Sequence, residues 1–184
     1  MTLKQISRRG VLLGATAMAT LAACKQSPTA QADVTPVSET TPAAASPAWM
    51  DGTAMAAAIA SGQTTSLEQV NAAIARAQAV NGQINAIASE IYDTARAEAG
   101  HTPAGPFQGV PTFIKDLHDW KGAQTYYGSR AFKGNIAESD GPLPAKWRAE
   151  GVVVLGKSTA PEMGLMASTE PLVTGETCNP WDTT

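Results

Sequence analysis

The chain has little of what makes covalent or metal-bound cross-links. Its 184 residues hold two cysteines, Cys24 and Cys178, and two histidines, His101 and His118. A zinc site takes three or four ligands, drawn mostly from Cys and His. His118 and Asp119 are adjacent, but no second histidine falls within ligand spacing, and no metal or other cofactor is expected. Basic charge is not in excess either. There are 13 Lys and Arg against 16 Asp and Glu, a formal charge of −3, and no basic patch that would serve as a footprint for nucleic acid. No apolar run is long enough for a permanent bilayer span, which needs about 20 residues. What is present, 43% hydrophobic residues in 184, suits a soluble globular domain with a modest core.

The amino terminus is set aside from fold reasoning as a targeting segment. Lys4, Arg8 and Arg9 form a basic region ahead of the short apolar stretch Gly10 to Ala23. Ser7-Arg8-Arg9-Gly10-Val11-Leu12 looks like a twin-arginine export signal, which makes the export machinery an expected partner. Leu21-Ala-Ala-Cys24 looks like a bacterial lipobox, with residues 1–23 removed and Cys24 acylated as the first mature residue. The alternative is an ordinary secretory signal cut near an Ala-x-Ala site, with Cys24 incidental. The lipobox reading places the protein in the periplasm, held to the membrane by a lipid, and leaves Cys178 with no disulfide partner. Residues 24–48 are rich in Pro, Ser, Thr, Ala and Gln and contain no aromatic, so they read as a disordered tether.

A globular domain is expected over 49–184. Asp51 is placed to cap a helix running from Thr53 to about Ala60, and Ser66-x-x-Gln69 reads as a capping box. Leu67, Val70, Ile74 and Ala77 then follow at helical spacing up to Asn81-Gly82. Ile84 to Ser89 alternates like a short strand, and Glu90 to Ala99 reads as a third helix. Leu143 to Glu150 reads as a helix stopped by Gly151, and Val152 to Leu155 as a buried strand, parallel to its neighbour. Helix, strand and helix in succession predict an α/β layer fold.

One stretch organises the rest. Gly109-Val-Pro-Thr-Phe-Ile-Lys-Asp116 reads as a short strand that delivers Lys115 at its end, with Pro111 at an edge or initial position. A lysine ending an apolar run is stripped of part of its water, which disfavours the charged form and can make the amine a base. The same spacing fits a surface lysine paired with Asp116.

Ordered motifs follow. Gly109-Val-Pro-x-x-Ile-Lys-Asp116 and Gly128-Ser129 precede Leu155-Gly-Lys157, Glu162 and Cys178-Asn-Pro-Trp-Asp182. In this order the chain from about Trp49 to Thr184 resembles the amidase signature family, serine amidohydrolases with a Ser-cisSer-Lys triad. The resemblance implies a mixed β-sheet core covered by helices, truncated before the Gly/Ser-rich signature. It implies hydrolysis of amide carbon–nitrogen bonds through a serine acyl-enzyme, with Lys115 as general base and no metal. The substrate-facing position falls near Met163 and Gly164. The family's Gly-Gly-Ser-Ser-Gly-Gly stretch belongs a few residues after Asp182, so the nucleophile and the cis-serine are not in this chain, and these 184 residues alone are expected to be inactive. Expected substrates are small-molecule or peptide-like amides; nothing in the sequence speaks to oligomeric state. Two rivals are a non-catalytic amide- or peptide-binding lipoprotein and the amidase component of a tRNA-dependent amidotransferase, the latter at odds with an export signal.

Gly151-Val-Val-Val-Leu-Gly156-Lys157-Ser158 also matches the nucleotide-binding pattern G-x-x-x-x-G-K-S. A phosphate-wrapping loop follows its strand, whereas here the strand lies between the two glycines. Pro161 would also cut short any helix begun at Gly156.

Overall fold

The computed structural model describes residues 50–183. The expected leader, Cys24 and the tether lie outside the described residues.

Local chemistry builds the helical front much as expected. Asp51 accepts a hydrogen bond from Ala54 N (2.7 Å) and caps α1, Gly52–Ala60. The capping box of α2, Ser66–Ile84, is displaced by one residue from its predicted place. Thr65 is the N-cap: Glu68 N donates to its hydroxyl (3.2 Å), and Thr65 N donates to the Glu68 carboxylate (2.7 Å). Ser66 is taken up elsewhere, since its buried hydroxyl donates to the Gly109 carbonyl (2.8 Å) and ties α2 to the entry of the lysine strand. The helix also passes through Asn81-Gly82 and ends at Asn85, which adopts φ 49°. Asn can take this left-handed cap conformation, and its side chain donates to the Thr174 and Glu176 carbonyls. Two elements follow, β1, Ile87–Glu90, and α3, Tyr92–Glu98.

Three strands form one mixed sheet in the order β1-β3-β2, where β2 is Pro111–Lys115 and β3 is Val153–Ser158. The central strand β3 runs antiparallel to β1 and parallel to β2. Pro111 opens β2 on the edge, where its missing N–H costs no ladder bond. The helix before β3, α4 (Pro142–Ala149), starts on a proline at its first turn and stops before Gly151 at φ 85°. Between the glycines of the nucleotide-like string the backbone is therefore a ladder strand and not a phosphate-wrapping loop.

Side chains of the sheet divide between two cores. Val153 and Leu155 pack with Val70, Ile74, Tyr92 and Ala95 beneath α2 and α3. Val154 packs with Ile114, Trp120 and Ala123 on the other face. By simple alternation Lys157 would follow Val153 and Leu155 to the first face. A bulge prevents this. Thr112 pairs with Val154 and Ile114 with Lys157, so β3 advances three residues while β2 advances two. The extra residue turns Lys157 to the Ile114 and Trp120 side. Gly156 permits it, because a Cβ there would overlap the Ser89 carbonyl oxygen of β1.

The second core is closed by Arg148, whose guanidinium lies 4.0 Å from the Trp120 ring centroid and donates to Asp140 (Nε–Oδ2 2.6 Å). The Arg148 hydrogen bond is the main cause that holds the Asp140 carboxyl below the usual carboxylate range, helped by Lys121 N and opposed by burial.

Two outcomes are expected of the complete protein that contains this chain. Gly156→Ala lowers stability by ~2–3 kcal/mol in urea unfolding, since the strand pair must shift to admit the methyl group; an unchanged midpoint would contradict the bulge's role. Asp140→Asn costs about 1 kcal/mol at neutral pH. Because folding depresses the Asp140 pKa, its contribution is complete above the ordinary carboxylate range and is lost as pH falls through the depressed value. The gap between wild-type and Asp140→Asn unfolding curves should therefore close in acid.

Candidate active site

Strand β2 alternates until its last residue, with Ile114 buried and Lys115 exposed at the carboxyl end. The register places Ser158 opposite Lys115 on the parallel neighbour, so the two share a face at the sheet edge. Directly after Lys115 the chain turns, and His118 N donates back to the Lys115 carbonyl (3.1 Å).

Asp116, the next residue, points the other way and is fully buried. Its carboxylate accepts from Tyr126 N (3.1 and 3.2 Å) and Gly128 N (3.5 Å), while its own N–H donates to the Ser158 carbonyl (2.9 Å). The charge facing it is Lys157, at 3.6 Å, not Lys115. Lys157 has 0% of its surface exposed. Its Nζ donates to the His118 carbonyl and to Thr125 Oγ1 (2.9 Å). Burial drives both members of the pair toward neutrality, pushing the Lys157 ammonium down and the Asp116 carboxyl up, while their mutual attraction opposes it.

The expectation that an apolar run would desolvate a lysine is thus met at Lys157, four residues into β3, while Lys115 stands open to solvent. The expected alternative, a surface pair of Lys115 with Asp116, is not formed, because the Asp116 carboxylate is turned inward to Lys157. Lys157 is enclosed, its amine engaged with the protein interior, whereas Lys115 is exposed among the described residues.

Met163 and Gly164 lie in a tight 3-10 turn, Glu162–Gly164, and the structure brings them to the loop after Lys115. Met163 N donates to the Tyr127 carbonyl (2.8 Å). A Cβ on Gly164 would come within 2.8 Å of Leu117 Cδ1, two residues past Lys115. Gly128 backs onto the same segment, since a Cβ there would overlap the Pro161 carbonyl. Met163 (φ 52°) and Tyr127 (φ 50°) hold left-handed backbone that costs a non-glycine residue energy and that the surrounding packing maintains, whereas Gly164 (φ 71°) takes it freely. The Tyr127 hydroxyl donates to Asp119 Oδ2 (2.6 Å), and burial followed by this bond pushes the phenol up to about 12.

Among the described residues no group of three or more His, Cys, Asp or Glu side chains is placed to hold a metal. Asn179-Pro-Trp-Asp182 forms the expected turn, with Asp182 N donating to the Asn179 carbonyl (3.1 Å). Leu165, Leu172 and Trp181, along the loop between Gly164 and this turn, are 80% or more exposed.

Sequence reasoning missed Lys157 as a buried cation. The available signal was its place at the end of the β-branched run, but which face it takes depends on a bulge that spacing alone does not disclose.

The amidase family model matches residues 68–184. The chain is 39% identical over 137 residues to the 6-aminohexanoate-cyclic-dimer hydrolase of Paenarthrobacter ureafaciens, covering 73% of this chain and 28% of that protein. It is 40% identical over 134 residues to the putative amidase AmiC of Mycobacterium leprae, covering 73% and 29%. Among solved structures, 6-aminohexanoate cyclic dimer hydrolase complexed with substrate superposes with a TM-score of 0.70 at 38% identity, over 75% of this chain and 29% of that one. The chain thus spans less than a third of the length of the relatives it matches. The family match takes in well over half of this chain, and the mixed sheet with its helices is the corresponding part of the amidase-signature fold: the chain belongs to the amidase family.

Proposed function

We propose that the complete protein hydrolyses amide carbon–nitrogen bonds through a serine acyl-enzyme in which Lys115 is the general base. The observation that carries this reading is the position of Lys115 at the carboxyl end of a parallel-paired strand, within the Gly-Val-Pro-x-x-Ile-Lys-Asp motif, in a chain of the amidase family. As the base, Lys115 accepts a proton from the cis-serine, which takes one from the nucleophilic serine as that serine attacks the amide carbonyl. The relay returns a proton to the leaving amine, and water then releases the acyl group. In this reading the cis-serine comes from the Gly-Gly-Ser-Ser-Gly-Gly stretch expected a few residues after Asp182, and the nucleophilic serine from a second glycine-rich loop about twenty residues further on. Backbone N–H groups of that stretch are suited to hold the oxyanion.

Met163 and Gly164, the latter beside Leu117, are assigned here to the substrate-facing side of the site. A relative bears the name 6-aminohexanoate-cyclic-dimer hydrolase, which supports a small-molecule amide as substrate here. Another relative, 35% identical over 136 residues, bears the name of a glutamyl-tRNA(Gln) amidotransferase component. The twin-arginine and lipobox residues favour an exported hydrolase over that cytoplasmic role. In this reading Cys24 carries the lipid and residues 25–48 hold the domain off the periplasmic face of the membrane.

Lys115→Ala in the complete protein should lower kcat/KM by at least ~10³-fold on several aryl and alkyl amides, with an unchanged unfolding transition. A variant that keeps near-normal turnover would remove Lys115 from the chemistry, and folded, inactive wild-type protein that binds amides would favour a binding role. Cys24→Ser should move the protein from the membrane fraction to the soluble fraction after cell lysis; continued membrane association would contradict acylation at Cys24.

A further inference from the structure

The mechanism above uses Lys115 and leaves a second lysine unexplained. Lys157 is fully enclosed, and an enclosed charge is expensive. Replacing a buried ion pair with apolar side chains of similar volume is often neutral or stabilising. Its presence points to a task other than stability, and its contacts say where that task lies. All converge on the loop that begins at Lys115.

Each end of that loop is tied to β3. At the near end, His118 N donates to the Lys115 carbonyl (3.1 Å), closing a turn over Asp116 and Leu117. The same His118 peptide offers its carbonyl to Lys157 Nζ. Asp116 N donates to the Ser158 carbonyl (2.9 Å), one residue beyond Lys157. At the far end, Thr125 Oγ1 accepts from Lys157 Nζ (2.9 Å), and the Asp116 carboxylate accepts from Tyr126 N and Gly128 N while facing Lys157 at 3.6 Å. Both ends of the loop that follows Lys115 are thereby referred to one strand, and Lys157 is the side chain that joins them.

We infer that Lys157 is a positioning residue for Lys115: its enclosed amine clamps the His118 carbonyl and the Thr125 hydroxyl, and so fixes the turn from which the Lys115 side chain projects. The inference rests on the reading of Lys115 as the base. A Lys115 stem is long and flexible, with several rotatable bonds, so the turn that anchors its backbone decides how closely the amine returns to one place. Proton transfer needs hydrogen-bond reach of about 2.6–3.2 Å. A shift near 1 Å at a catalytic group can cost about 10²-fold in rate. The bulge at Gly156 fits this assignment, since it turns Lys157 toward the loop and away from the first core.

The test uses the complete protein and an amide substrate, with kcat, KM and the thermal transition measured for Lys157→Met, Thr125→Val, Thr125→Ser and Lys115→Ala. The expected result is that Lys157→Met, in its folded fraction, loses about 10- to 100-fold in kcat with KM within about threefold of wild type. Thr125→Val should show a smaller loss of the same kind, and Thr125→Ser, which keeps the hydroxyl, should recover it. A purely structural lysine would lower the transition temperature while the folded fraction kept wild-type kcat. That result, with Lys115→Ala inactive, would overturn the positioning role and leave the base assignment standing. If Lys157→Met does not fold, Thr125→Val decides: wild-type kcat overturns the inference, and a kcat loss at constant KM and unchanged transition supports it. Near-normal turnover by Lys115→Ala would overturn the base assignment, and the positioning role with it.

Discussion

The structure around the site depends on one constraint: a lysine ammonium and an aspartate carboxylate, 3.6 Å apart, are shut away from water between strand and loop. Such a pair is tolerable only if its remaining hydrogen-bonding capacity is met. Lys157 meets it with the His118 carbonyl and the Thr125 hydroxyl, and Asp116 meets it with two backbone N–H groups. Satisfying these two side chains therefore dictates the path of residues 116–128. The loop owes its shape to polar satisfaction more than to apolar burial, although Trp120 and Ala123 pack beneath it.

That constraint begins in a backbone irregularity. A regular β3 would send Lys157 to the same face as Val153 and Leu155, among the mostly apolar side chains under α2 and α3. The bulge changes its face, and glycine at 156 is what lets β1 lie so close. The same change places Ser158 opposite Lys115. One glycine thus bears on both lysines, since the bulge it permits turns Lys157 inward and sets which residue of β3 stands opposite Lys115.

Much of the scaffold was legible from local chemistry. Asp51 capped its helix as expected, and Val152 to Leu155 marked a buried strand parallel to its neighbour, observed as Val153–Ser158. The string with a nucleotide-binding pattern was correctly separated from a phosphate loop, because β-branched residues between its glycines favour a ladder. Where reasoning slipped, a distant contact outweighed a local preference. Ser66 serves Gly109 rather than the helix end, and Asn85 carries αL backbone, so the helix runs past Gly82. The candidate site was less legible. Lys115, Met163 and Gly164 were named through family resemblance, and their proximity follows from the fold, through Gly164 against Leu117 and Met163 N on the Tyr127 carbonyl. Desolvation was expected at Lys115 because it ends an apolar run. Among the described residues it falls on Lys157, and the register between β2 and β3 is what reveals it.

The central claim is that Lys115 activates a serine for attack on an amide. The most direct measurement is rapid-quench mass spectrometry of the complete protein mixed with an activated aryl amide, following the mass of the enzyme within a single turnover. The account predicts a transient mass gain equal to the acyl group, on a serine of the segment after Asp182, formed many-fold more slowly in Lys115→Ala. Turnover with no covalent intermediate, or acylation of Lys115→Ala at the wild-type rate, would contradict it.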